Sequence, residues 1–154
     1  MFVPAEPEAA IVFNCLPTAS QASPIPAVDL DRVTSVTKVE ELMKKFSDEL
    51  GQFAVSTDEF LASERPQIVR VQAAAQLAAF AGGSIIKIHP FVNGNGRIAR
   101  LAMNFFLHRY LNRVPFFIDR PNNPDYSTAS GYAMQTGNFV PLYQYVVELL
   151  AISL

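Results

Sequence analysis

The sequence has little cysteine and little net charge, and both shortages limit what the protein can be. Its 154 residues include one cysteine, Cys15, so the chain can form no internal disulfide and offers no cysteine pair with metal-site spacing. Twelve basic residues stand against fourteen acidic ones, for a formal net charge of -2. Because there is no basic surplus, we expect no binding to nucleic acid or to an anionic membrane surface.

Targeting signals are also missing from the sequence. Residues 1–8 lack the basic start of a signal peptide, and no apolar run approaches the ~20 residues that a membrane span needs. A single cysteine suits a reducing compartment. We therefore expect a soluble, cytoplasmic protein, with secretion as an effector left open.

What the chain does have is apolar content: half of its residues are hydrophobic. A chain of this length can bury a real core as one domain. A capping box begins at Thr37, and apolar side chains at helical intervals behind it predict a helix over 38–54. Residues 57–60 look like a short connector or a single turn. Pro66 then suits the first turn of a second helix that reaches about Ile88.

Two adjacent glycines, Gly82 and Gly83, fall inside this second helix. Each weakens a helix by roughly 1 kcal/mol relative to alanine. Either the close approach of a neighbouring helix or a kink would account for them.

Helix-end signals divide the second half of the chain. Pro90 ends the second helix, and the helix after Gly96 is apolar nearly all round, which predicts a central, buried position. Residues 123–125 should start another helix, and 137–138 should end it. Pro141 opens a last helix with four inward-facing side chains, Leu142, Val146, Leu149 and Leu150.

The stretch 89–100 reads HPFVNGNGRIAR, and it gathers groups that suit phosphate chemistry. Gly94, Asn95 and Gly96 allow several backbone N–H groups to converge on an anion, and the helix behind them adds its positive dipole end. Arg97 and Arg100 lie one turn apart, and their forked donors match phosphate oxygens. A glycine turn with two surface arginines capping a carboxylate is the structural alternative.

This stretch resembles the signature of the Fic (filamentation induced by cAMP) family, His-x-Phe-x-(Asp/Glu)-Gly-Asn-Gly-Arg-x-x-Arg. Seven of its positions match: His89, Phe91, Gly94, Asn95, Gly96, Arg97 and Arg100. The resemblance implies an all-α, Fic-like helical bundle around a central buried helix. It would form a single domain over 1–154, with an arm and a small β-hairpin flap in 1–36 and a helical core in 37–154. The strand-like run 10–16 would belong to the flap; a loosely ordered arm is the alternative.

The resemblance also implies an activity, the transfer of AMP from ATP to a Ser, Thr or Tyr hydroxyl of a target protein. His89 would be the general base, since an imidazole with a pKa near 6.5 can accept a proton at neutral pH. Asn95 and Arg97 would hold the inner phosphates, and Arg100 the terminal one. Phe91 would anchor the loop in the core.

One position departs from the signature: Asn93 stands where the family has Asp or Glu. The family carboxylate helps to hold Mg²⁺, and an amide oxygen is a weaker, neutral ligand. Asn93 would therefore be a weak metal ligand. Three outcomes stay open: weaker transfer of AMP, an altered donor, or a non-catalytic nucleotide-binding and interaction module.

Partners follow from the resemblance as well. Many Fic proteins are inhibited by a helix with the pattern (Ser/Thr)-x-x-x-Glu-(Gly/Asn), whose glutamate would pair with Arg100. The pattern does not occur in this sequence. A separate antitoxin-like protein could supply that glutamate, or it lies outside these 154 residues, or the activity is unrestrained. A homo-oligomer is also left open.

Overall fold

The computed structural model describes residues 36–116 and 124–151, and every regular element in these ranges is a helix. The five helices, in chain order, are α1 (Val36–Leu61), α2 (Gln67–Ile88), α3 (Asn95–Leu111), α4 (Pro124–Thr136) and α5 (Val140–Ala151). The all-α fold class is confirmed. All described residues belong to the unit Val36–Leu154. The run 10–16 lies outside them, so the flap and the single domain over 1–154 stay predictions.

Helix α2 is the centre of the bundle. Nearly all of its residues from Val71 to Ile86 are buried, and it packs against each of the other four helices. By length and composition α2 could cross a membrane, so the expectation that no apolar run approaches that length is wrong. Most of its apolar window is buried inside the bundle. A long apolar helix in a protein core meets the same criteria of length and composition.

The prediction that the helix after Gly96 is the buried one is wrong. Helix α3 packs against α2, and Ala99, Met103 and Leu107 on its inner face are fully buried. Its other face carries exposed apolar side chains, among them Leu101 and Phe105, which is 58% exposed. A helix that is apolar on both faces can still lie at the surface, because tertiary packing decides which face is covered.

Close approach explains the two glycines of α2. A Cβ at Gly82 would lie 2.6 Å from Met103 Cγ, and one at Gly83 would lie 2.6 Å from Phe139 Cδ1. Both distances are far shorter than a carbon–carbon contact. The first of the two explanations is thus confirmed, and the glycines let α3 and Phe139 pack directly on the α2 backbone.

Helix α1 is longer than predicted, because residues 57–60 continue it. Thr57 is buried, and its hydroxyl donates to the Phe53 carbonyl at 2.8 Å, so a polar residue fits inside the helix. One residue on, the Asp58 carboxylate accepts hydrogen bonds from Arg109 at 2.8 Å and Tyr110 at 2.7 Å. Residues 57–60 are part of a continuous helix, so the prediction of a short connector or a single turn there is wrong.

The remaining boundaries agree closely with the sequence signals. Helix α4 begins at Pro124, and Gly137, with φ of 73°, follows its end. Helix α5 begins at Val140, one residue before the predicted proline, and the Asn138 side chain accepts the Val140 N–H at 2.9 Å. Of the four predicted inward-facing side chains, three are buried: Leu142, Val146 and Leu150. The fourth, Leu149, is partly exposed.

Candidate functional site

His89 is the residue that ends α2. It adopts the left-handed conformation, with φ of 53°, and its N–H donates to the Ile85 carbonyl at 3.0 Å. Asn112 ends α3 in the same conformation, so this backbone shape is an ordinary way to close a helix. For the site, its effect is to turn the chain out of α2 and to leave the His89 side chain exposed.

The His89 ring is oriented by one contact, between Nδ1 and the Ile86 carbonyl oxygen at 3.3 Å. A carbonyl can only accept a hydrogen bond, so this contact favours the neutral tautomer with its proton on Nδ1. The lone pair is then on Nε2. In an exposed ring, that nitrogen can accept a proton from an incoming hydroxyl. Sequence reasoning selected the histidine but missed the carbonyl, although a spacing of three residues at a helix end brings the two together.

Asn95 holds the loop between α2 and α3. Its Oδ1 accepts the Phe91 N–H at 3.0 Å, and its Nδ2 donates to the Phe91 carbonyl at 2.6 Å. The side chain is 4% exposed. Both ends of the amide are therefore engaged with the loop's own backbone. The role predicted for Asn95, holding the inner phosphates, would fall to its backbone N–H instead.

The prediction that Phe91 anchors the loop in the core is wrong, because its side chain is 47% exposed. The loop is anchored at residue 91 through the peptide groups that Asn95 binds. Asparagine forms such paired bonds because its amide has both an acceptor and donors. Hydrophobicity predicts that the Phe91 side chain is the anchor, whereas the anchoring side chain is that of Asn95.

The loop delivers the chain to the start of α3 in a conformation that suits an anion. Gly94 caps the helix with φ of 89°, a value that glycine adopts without steric cost. The first N–H groups of any α-helix have no acceptor within the helix, and here they belong to Asn95, Gly96 and Arg97. Together with the helix dipole they form a positive, donor-rich surface.

Arg97 and Arg100 both fold back against the glycines of the loop, but they differ in exposure. A Cβ at Gly94 would lie 3.5 Å from Arg97 Nη2, and one at Gly96 would lie 3.5 Å from Arg100 Nη1. Arg97 is exposed, whereas Arg100 is only 7% exposed. The structure thus brings both predicted arginines to the helix start, one at the surface and one beneath it.

Tyr126 of α4 lies beside the Arg100 guanidinium. Burial raises the pKa of the Tyr126 hydroxyl to about 12, and Arg100 opposes part of this rise through its charge and a hydrogen bond. The Tyr126 ring packs against Phe116 and Tyr145, with centroids 5.6 and 5.8 Å away. An aromatic cluster therefore backs the buried arginine.

The described residues do not fit a bound Mg²⁺ ion. The stretch 89–100 contains no carboxylate, and no group of three or more potential metal-binding side chains occurs in 36–116 or 124–151. The predicted weak ligand, Asn93, uses its Oδ1 to accept the Gly94 N–H at 2.7 Å. Magnesium prefers carboxylates and phosphates. The only side-chain oxygen in the loop residues 90–94 is that of Asn93, which is neutral and already hydrogen-bonded.

In this helical bundle, one helix ends at an oriented histidine and the next begins at a cationic, glycine-bounded turn. The comparison with protein families shows to which class the bundle belongs. The model of the Fic/DOC family matches residues 32–107, and the chain is a Fic-domain protein. No curated protein and no solved structure matches the chain. The match ends within α3, so Tyr126 lies outside it.

Proposed function

We propose that this Fic domain transfers a nucleoside monophosphate, AMP from ATP, to a serine, threonine or tyrosine hydroxyl of another protein. The observation that supports this best is the orientation of His89. Its Nδ1 faces the Ile86 carbonyl at 3.3 Å, so Nε2 is the basic nitrogen of an exposed ring. Nearby in the chain, the start of α3 gathers the donors that a polyphosphate needs.

In the proposed step, the target hydroxyl loses its proton to His89 Nε2 and its oxygen attacks the α-phosphorus of the donor. The bond from that phosphorus to the oxygen bridging it to the β-phosphorus breaks, and pyrophosphate leaves with the bond's electron pair. The target then carries AMP through a phosphodiester, and His89 carries the proton until solvent accepts it. Such transfers depend mainly on alignment and charge stabilisation.

Charge stabilisation would come from the start of α3. The N–H groups of Gly96 and Arg97 can donate to phosphate oxygens. The exposed Arg97 is suited to the inner phosphates, and the buried Arg100, beside Tyr126, to the terminal one. A partly desolvated guanidinium interacts more strongly with a phosphate than one in water does.

A second candidate function is favoured by Asn93. Because the loop lacks a carboxylate, the domain could bind a nucleotide without turning it over, or use another phosphate-containing donor. In both cases the anion site is the same and the reaction differs. The donor and its fate therefore have to be tested separately from binding.

The test uses the full chain, a cell lysate and ATP, GTP, CTP or UTP labelled on the α-phosphate, with His89→Ala as the variant. Loss of a general base typically slows a reaction by about 10²–10⁴-fold, so labelling of target proteins should disappear in His89→Ala. His108→Ala is the matched control, since His108 is also exposed and lies near the end of a helix. Label from one nucleotide identifies the donor base.

Nucleotide binding without label transfer in the unaltered protein would support the non-catalytic module. Equal labelling by His89→Ala and His108→Ala would contradict the role proposed for His89.

A further inference from the structure

The side chain of Asn93 shows how this loop differs from one that holds a metal ion. Its Oδ1 accepts the Gly94 N–H at 2.7 Å, which fixes which end of the amide is oxygen. The remaining polar group is the NH₂, and it can only donate hydrogen bonds. Asn93 is exposed, so this donor is accessible from outside the protein.

A carboxylate at the same position would behave differently. One of its oxygens could keep the bond to the Gly94 N–H while the second, with its negative charge, served a cation. The amide has no second oxygen. At this one position, asparagine presents a donor where an acid would present a ligand.

The charges around Asn93 favour an anion over a cation. Arg97 and Arg100 are the charged residues of the stretch 89–100 apart from any charge on His89, and the start of α3 adds its positive dipole end. A divalent cation placed here would be repelled by the guanidiniums unless phosphate oxygens lay between them. A free phosphate group is attracted both by the guanidiniums and by the helix start.

We infer that the phosphates of the donor bind this loop without a protein-held divalent cation, and that Asn93 holds the loop with its oxygen and donates to phosphate with its NH₂. This rests on the proposed function only in taking the loop as the phosphate site. Specificity then follows from charge: the loop should prefer metal-free polyphosphate, because a bound Mg²⁺ ion reduces the negative charge that the arginines recognise.

Titration calorimetry of the full chain with inorganic pyrophosphate tests this inference, in Mg²⁺ and in EDTA at matched ionic strength. We expect the unaltered protein to bind at least as tightly in EDTA as in Mg²⁺. For Asn93→Asp we expect weaker binding in EDTA, since a carboxylate repels phosphate, and a gain on the order of tenfold on adding Mg²⁺. As a control, peptide mass spectrometry of the unaltered protein checks that position 93 carries asparagine and not aspartate.

Two outcomes overturn the inference: pyrophosphate binding by the unaltered protein that tightens about tenfold or more with Mg²⁺, or no binding in either buffer. The transfer assay separates this from the proposed function. Metal-independent binding without label transfer leaves the inference intact and removes the transferase. Label transfer with Mg²⁺-dependent binding does the reverse. Melting curves show whether Asn93→Asp is folded, and a folded variant that gains nothing from Mg²⁺ also counts against the role given to Asn93.

Discussion

Two buried asparagines on α3, Asn95 at its start and Asn104 in its second half, make the same pair of bonds. Asn95 binds the N–H and the carbonyl of Phe91, and Asn104 binds those of Phe116 at 3.0 and 2.7 Å. Each side chain supplies the hydrogen-bond partners that another backbone segment would otherwise have to supply. A single residue therefore positions the loop that enters α3, and another positions the segment that leaves it.

The matched pair allows the loop's role in binding to be separated from its role in stability. Asn95→Ala and Asn104→Ala should each lower the free energy of unfolding by about 1–3 kcal/mol, because buried peptide groups lose their partners. Only Asn95→Ala should also weaken pyrophosphate binding, since it alone releases the segment next to His89 and Gly94. Urea titration measures the first quantity and calorimetry the second. Equal binding by the two variants would show that the loop is held by other contacts.

At the scale of elements, the packing of α2 depends on its lack of side chains at two positions. Small residues along this helix bring its neighbours close: Ala74, Ala75 and Ala78 are fully buried. Around Phe80 the space is filled by rings instead, with Phe46, Phe53 and Phe139 at centroid distances of 6.0, 5.6 and 6.1 Å. The helix is thus a fitted core element, sensitive to added volume.

Gly83→Ala should destabilise the fold, although alanine is the better helix former. The new Cβ would meet the Phe139 ring at 2.6 Å, and overpacking of this kind typically costs about 1–3 kcal/mol. Gly51→Ala is the control, since Gly51 lies inside α1 with nothing within 4 Å of an added Cβ. It should stabilise by about 0.5–1 kcal/mol. Thermal melts that show the same sign for both variants would disprove the close-packing explanation.

These elements also show what could be read from the sequence. Prolines and glycines act on the backbone locally, so Pro90, Pro124 and Gly137 marked helix ends correctly. The continuation of α1 through Thr57 could not be foreseen, because it depends on a hydroxyl bonding to its own helix and on Asp58 reaching residues more than fifty positions away.

For the site, residue types and spacing predicted which side chains would gather at the start of α3. They could not distinguish a phosphate ligand from a structural one. The bonds between Asn95 and the Phe91 backbone leave no periodic signal in the sequence, so hydrophobicity predicts the phenylalanine as the anchor. Nor does spacing alone say which of two arginines is buried; Arg100 is covered because α4 brings Tyr126 beside it.

For the whole molecule, the aromatic cluster of Phe116, Tyr126 and Tyr145 joins the segment after α3 to α4 and α5. Within it, the pKa of Tyr126 is raised to about 12, chiefly by burial. The pKa of Tyr110, on α3, is raised to about 12 by burial and by its hydrogen bond to Asp58. Ionising either hydroxyl is therefore less favourable in the folded protein than in the unfolded chain.

Stability should therefore fall at alkaline pH in a defined window. A tyrosine whose pKa is raised on folding contributes fully below its unfolded value near 10, and the contribution is lost as pH rises towards about 12. Across that window the ionisation of Tyr126 lowers the free energy of unfolding by up to about 1.4 kcal/mol per pH unit. Tyr126→Phe keeps the ring and should flatten the decline; Tyr132→Phe, at an exposed position, should not. Urea titrations between pH 9 and pH 12 measure both, and parallel curves for Tyr126→Phe and the unaltered protein would rule out this origin.

The Asn95 side chain binds only the backbone N–H and the backbone carbonyl of residue 91. Any amino acid except proline supplies both groups, so the ring that Phe91 presents at the surface can be exchanged while the course of the chain is kept. Residue 91, two positions after His89, can therefore change the side chain that it offers to a binding partner without a change in the fold of the loop.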